Sequence, residues 1–259
     1  MAEFNNNIYI GSLSIKQVTF GDLRDVFRLG VRDFLEAPKF GLLFGAIYSF
    51  GGLLISFFVL HLGVYWMLYP FVIGFLLIGP YIAAGLYDVS RRREQGLVLK
   101  WSEVLGVVWL QRRREFAWMA FVVLFVFWLW IYKARTLVAI FFGFQGFATF
   151  NGFLESATTT TNGWLFLLVG HGIGAVLASI LFCLTVTSFP LLLDRDVDFI
   201  TAMLTSIRVV LNSPKVMFAW GAFVIAAILI SMIPAFIGLL VTLPILGHAT
   251  WHLYKRAIS

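Results

Sequence analysis

His248 and His252 stand four residues apart in "PILGHATWHLYKR", which runs from Pro244 to Arg256. On a helix that spacing puts both imidazoles on one face, an arrangement that can hold a metal ion or a haem. Three prolines extend the pattern. Four and eight residues beyond Pro80, Pro190 and Pro244 lie Ala84 and Asp88, Asp194 and Asp198, and His248 and His252. On three helices related by a pseudo-threefold axis these side chains would meet in a polar vestibule, because ionisable groups at membrane depth are costly unless paired or wetted. Asp88, Asp198 and His252 are then expected on the inner side of the bundle, in hydrogen-bonding networks. The plainer alternative makes Asp194 and Asp198 helix caps beside Arg195 and pairs Asp88 with a neighbouring arginine. His61 and His171 form a second, outer-side candidate pair of ligands. Each pair brings only two imidazoles, whereas a metal needs three or four ligands with supporting partners. Haem or metal at either pair is therefore a lesser alternative, and no cofactor is assigned. No serine lies in a nucleophile motif and no carboxylate pair lies within the apolar runs, so the expectation is a non-enzymatic protein with no catalytic residue.

The elements that position these residues follow from composition. Of 259 residues, 61% are hydrophobic and only 12% charged, with a mean hydropathy of +0.93. Soluble chains carry about 25% charged residues. The apolar residues also come in runs of bilayer length, at 41–62, 66–87, 116–133, 164–189, 215–232 and 235–254. An all-α, polytopic transmembrane bundle of six spans is expected. All but two of the 19 basic residues fall in the segments that lie on one side of such a layout, the exceptions being Lys133 and Arg135. By the positive-inside rule both termini are cytoplasmic, in a bacterial inner membrane. The first forty residues contain Glu3, Asp22, Asp25, Asp33 and Glu36 without an early apolar core, so they read as a retained segment rather than a signal peptide. The net charge of +6 then reflects topology and contact with anionic lipid headgroups, not a nucleic-acid surface. Cys183 is the sole cysteine, which excludes an intrachain disulfide.

The chain, a single membrane domain, also repeats itself weakly, in copies bounded at 20–95, 99–195 and 197–257. "GVRDFLEAPKFGLLFGA" from Gly30 aligns with "SIRVVLNSPKVMFAWGA" from Ser206, matching Arg32 to Arg208 and Pro38-Lys39 to Pro214-Lys215. Each copy is expected to hold a cytoplasmic amphipathic helix, an outward span and a return span. In the first helix Leu23, Val26, Phe27, Gly30, Val31 and Phe34 form the apolar face, with Asp22, Arg24, Asp25, Arg28, Arg32 and Asp33 on the polar one. Such helices lie in the membrane interface and stop before Pro38 and Pro214, because the residue preceding proline avoids the helical region. The middle surface helix runs from Trp101 to about Gln111. Residues 134–163, rich in Phe, Gly and Thr, break the pattern as an outer interfacial or re-entrant insertion.

The stretches "RDFLEAPKFGLLFG", "GPYIAAGLYDV", "FPLLLDRDVDF" and "PILGHATWHLYK" resemble a family of predicted bacterial integral membrane proteins classed as a domain of unknown function. That resemblance implies the six-span membrane architecture and no particular chemistry. Two functions stay open. One is a protein that scaffolds, assembles or regulates a membrane partner. The other is a small ion or solute transporter or channel along the repeat axis, with interrupted helices near its site.

Overall fold

The computed structural model describes residues 8–10, 13–64, 67, 71, 79–110, 113–143, 147 and 149–259. The described residues are almost entirely helical. In chain order they form strands β1 (Ile8–Ile10) and β2 (Leu13–Ile15), then helices α1 (Phe20–Glu36), α2 (Pro38–His61), α3 (Gly79–Glu94) and α4 (Trp101–Leu110). There follow α5 (Arg113–Phe142), α6 (Phe150–Thr159), α7 (Thr161–Thr185), α8 (Ser188–Asp194), α9 (Phe199–Asn212), α10 (Pro214–Met232) and α11 (Leu239–Ala257).

Among the described residues, four stretches are long and apolar enough to cross a membrane: α2, Glu115–Phe142 within α5, Thr161–Asp194 covering α7 and α8, and α10. They coincide with four of the six expected spans. Half of the expected span at 66–87 falls outside the described residues, and its part from residue 79 belongs to α3. The one at 235–254 coincides with α11, which is not among the four. The span expected to close at 133 continues to Phe142. Lys133 and Arg135 are good helix formers, and no glycine or proline intervenes before Gly143, whose φ of 78° ends the helix.

Proline punctuates the helices where the sequence placed it. Ala37 before Pro38 has φ −133° and ψ 50°, and Ser213 before Pro214 has φ −142° and ψ 57°. The two boundaries thus share one backbone geometry. Between α7 and α8 the helix opens at Val186–Thr187, where Pro190 offers no N–H and its ring crowds the carbonyl four residues back.

The chain divides into two compact units. The first comprises residues 1–49, 80–120 and 182–259. Its centre is the packing of α1 on α11. A side chain at Gly30 would put its Cβ 2.6 Å from the Ile245 carbonyl oxygen and 2.8 Å from the Ala249 nitrogen. Only glycine allows so close an approach. Val26 and Phe34 are buried on the same face, and Phe27 meets Phe223 of α10 edge to face at 5.5 Å. Thr19 and Asp22 form a reciprocal capping box that starts α1. The β-hairpin, absent from the sequence reading, pairs with the other end of the chain: Ser14 and Ser259 exchange two backbone hydrogen bonds of 3.1 Å.

The second unit comprises residues 50–79 and 121–181. Leu137 of α5, Phe153 of α6 and Phe166 of α7 form its core, with Phe141, Phe142 and Phe147 packed around them. The segment expected as an insertion is thus the end of α5 and the short helix α6, started by the Thr149 side chain. Phe121, Phe125, Trp128 and Tyr132 stack successively along α5 with their rings exposed.

Candidate functional site

The site lies in the first unit, where the ends of α1, α3 and α11 meet. Asp33 is its centre and is almost wholly buried. It was expected on the polar face of α1, and the structure places it instead on the stripe Val26, Gly30, Asp33, Ala37 that faces inward. Its Oδ2 accepts from the Ser90 hydroxyl at 2.7 Å and faces His252 Nε2 at 2.8 Å. Its Oδ1 accepts from Arg93 Nε at 3.3 Å, and Arg32 lies 3.5 Å away. Burial pushes the Asp33 carboxyl up. Hydrogen bonds from His252 and Ser90, with the charges of His252 and His248, outweigh it and hold Asp33 well below the usual carboxylate range.

Both nitrogens of His252 face carboxylates: Nε2 faces Asp33, and Nδ1 lies 3.2 Å from Glu94 Oε1. A ring donates at both nitrogens only as imidazolium. Ser90 has one proton, and an ionised Asp33 can only accept it. The 2.8 Å contact between Ser90 Oγ and His248 Nδ1 is therefore donated by the histidine. His248 Nε2 is buried and has no hydrogen-bond partner of ordinary geometry. The result is a continuous chain, Glu94–His252–Asp33–Ser90–His248, from a partly exposed carboxylate to a closed interior nitrogen. Such a chain can hold a proton, or pass one, between three helices.

The sequence candidates fall around this chain unevenly. His248 and His252 belong to it. Asp88 is fully buried two residues before Ser90, but its partners are local: Arg91 at 2.5 Å and Arg92 at 2.6 Å. Arg92 continues to Glu103 of α4, and Arg91 donates to the Leu193 carbonyl of α8 at 3.0 Å. Asp194 accepts from the Tyr254 hydroxyl at 2.7 Å and from Lys255 at 3.2 Å, linking α8 to α11. Asp198 is the N-cap of α9, accepting from the Thr201 N–H at 2.9 Å and its hydroxyl at 2.6 Å. Those bonds, side-chain first, hold its carboxyl below the usual range. In the second unit His61 stacks on Phe57 at 5.7 Å, and His171 Nδ1 bonds the Leu167 carbonyl at 2.7 Å.

For a metal, His252 would have to give up a carboxylate and His248 offers only Nε2. Among the described residues no group of three or more His, Cys, Asp and Glu is arranged to hold an ion. The sequence reading missed Asp33, Ser90, Arg93 and Glu94. The spacing 26–30–33–37 was the available signal for Asp33, since an acid on the glycine stripe of an amphipathic helix must find partners.

Comparison with known proteins meets this geometry half-way along the chain. Residues 68–194 match the family model of DUF2189, a predicted integral membrane protein. The resemblance drawn from short motifs is thus to this family. The DUF2189 segment supplies Asp88, Ser90, Arg93, Glu94 and Asp194, whereas Asp33, His248 and His252 lie outside it. No curated protein and no solved structure matches the chain. With the family and several apolar helices together, this is a multi-pass integral membrane protein.

Proposed function

We propose that the protein is a non-enzymatic membrane scaffold or regulator, which binds another membrane protein through the outward faces of its spans. Its place would be a bacterial inner membrane, with both ends cytoplasmic and basic loops against anionic headgroups. One observation carries the reading. Only 33% of the apolar window of α2, 28% of that in α5 and 28% of that in α10 is buried within the chain. Most of the apolar surface of these spans therefore faces outward, to lipid or to a partner. Asp33, Glu36, Glu94, Arg32, Arg93 and His252 of the first unit are engaged with one another, as in a structural junction.

The test is site-specific photocrosslinking in native membrane from outward positions such as Phe57, Phe125 and Ile230, with flux assays on proteoliposomes. A discrete protein adduct from one helix face, absent from the opposite face, together with no solute or ion leak, is the expected result. Lipid adducts alone, with saturable flux, would replace this reading by the transporter one. That second reading draws on the helix break at Val186–Thr187 and on Pro244 inside α11, since interrupted helices commonly flank transport sites.

A further inference from the structure

We propose that His252 is a proton-operated latch: protonated, it ties α1 through Asp33 to α3 through Glu94, and deprotonated, it lets α1 loosen from the unit. The inference rests on the regulatory part of the reading above and gives that regulation an input.

The geometry carries it. His252 is nearly buried on α11 and touches a carboxylate from each of two other helices, at 2.8 Å and 3.2 Å. The surrounding charges form one connected set. Asp33, Glu36 and Glu94 face Arg32, Arg93 and His252, through pairs that link all six. With His252 charged, three carboxylates meet three cations. Without the proton one carboxylate is left in excess, and it is either the buried Asp33 or Glu94, because a neutral ring donates only once. His248 lies on the same helix and reaches Asp33 through Ser90. The other charges facing this end of α11 are already engaged: Asp194 of α8 with Lys255, and Asp22 and Asp25 of α1 with Arg256. None of them is placed to replace the lost proton at His252.

Release would act on α1 in particular. Apart from this cluster, α1 is held by the Gly30 contact, the Val26 and Phe34 side chains, the Phe27–Phe223 ring contact and two ion pairs from Arg256. Loosening it would uncover an apolar helix face beside the membrane, which a partner can take up.

The experiment is hydrogen–deuterium exchange of residues 20–36 in the full-length protein in lipid nanodiscs, from pH 6 to pH 9.5, corrected for intrinsic exchange. Protection of α1 should be flat at the acid end and fall at least tenfold across one transition. In His252→Gln that transition should vanish, the residual protection being independent of pH. Glu94→Gln leaves the buried partners intact and should move the transition to lower pH. Flat wild-type protection, or the same transition in His252→Gln, overturns the latch. If His252→Gln does not fold, an unmoved transition in Glu94→Gln overturns it. The purified protein is tested alone, so failure here leaves the scaffold reading standing, and failure to find a partner leaves this result standing.

Discussion

Asp33 shows how one carboxylate can hold a junction together. It has four cationic or hydroxyl neighbours and almost no water. Removing one member of a buried, hydrogen-bonded ion group leaves the others uncompensated, which costs about 3–5 kcal/mol. Asp33→Asn should therefore lower stability by about that amount, read from denaturant unfolding in mixed micelles. Glu36→Gln should change it by less than about 1 kcal/mol, because Glu36 is half exposed and its pairs are screened. The pH dependence follows from the same residue. Its carboxyl is held below the ordinary value of about 4, so its contribution is fully present above that value for as long as His252 keeps its proton. It is lost as the pH falls further, toward the depressed folded-state ionisation. An acid unfolding limb that begins near pH 4 and is absent in Asp33→Asn is the expected signature. Asp33 was hard to read because charge usually marks the solvent face of an amphipathic helix. At the position aligned with it in the other copy stands Val209, fully buried. The alignment held a buried position, and the residue type concealed it.

Helices and their ends were the more legible level. Their boundaries depend on proline and capping chemistry, which is local: α1 stops before Pro38, α9 stops before Pro214, and Asp198 caps α9 as an Asp-x-x-Thr stretch suggests. Asp198→Ala should cost about 1 kcal/mol, measured by thermal unfolding in detergent. The loss should persist under moderate salt, because one of the lost bonds comes from a backbone N–H. What sequence could not supply is which helix faces which. Nothing local to Gly30 announces that Ile245 and Ala249 lie against it, since that contact spans more than two hundred residues. The consequence can be tested. Gly30→Ala forces its new methyl against the α11 backbone, which cannot rotate away, and overpacking of this kind costs about 1–3 kcal/mol. The same substitution at Gly51, where a Cβ meets nothing within 4 Å, should be neutral or slightly stabilising. The β-hairpin was invisible for a related reason: its strands are three residues each, and Ser259 supplies two of the bonds that hold them.

For the whole chain, contacts among helix ends in the first unit bear on how often it crosses the bilayer. Arg93 at the end of α3 pairs with Asp33 and Glu36 at the end of α1, although α2 intervenes. The Phe199 N–H at the start of α9 bonds Glu115 at the start of α5 at 2.9 Å, although α5 and α7 intervene. His252 near the end of α11 meets Asp33 at the end of α1, although α2 to α10 intervene. Returns to the starting side after each outward helix would give these contacts, and Ser14 paired with Ser259 fits an even number of crossings. Three out-and-back passages would satisfy these contacts and would also gather all basic residues except Lys133 and Arg135 on one side, as the charge pattern leads one to expect. Six crossings are accordingly expected, tested by cysteine accessibility in a Cys183→Ser background. Cysteines replacing Ser14, Gly96 and Asp196 should react with an impermeant maleimide only after the cytoplasmic face is opened. One replacing Glu155 should react in intact cells. Labelling of Gly96→Cys from the outside would mean that no return crossing separates α2 from α3, and would reduce the layout to one that the Arg93–Asp33 contact cannot accommodate.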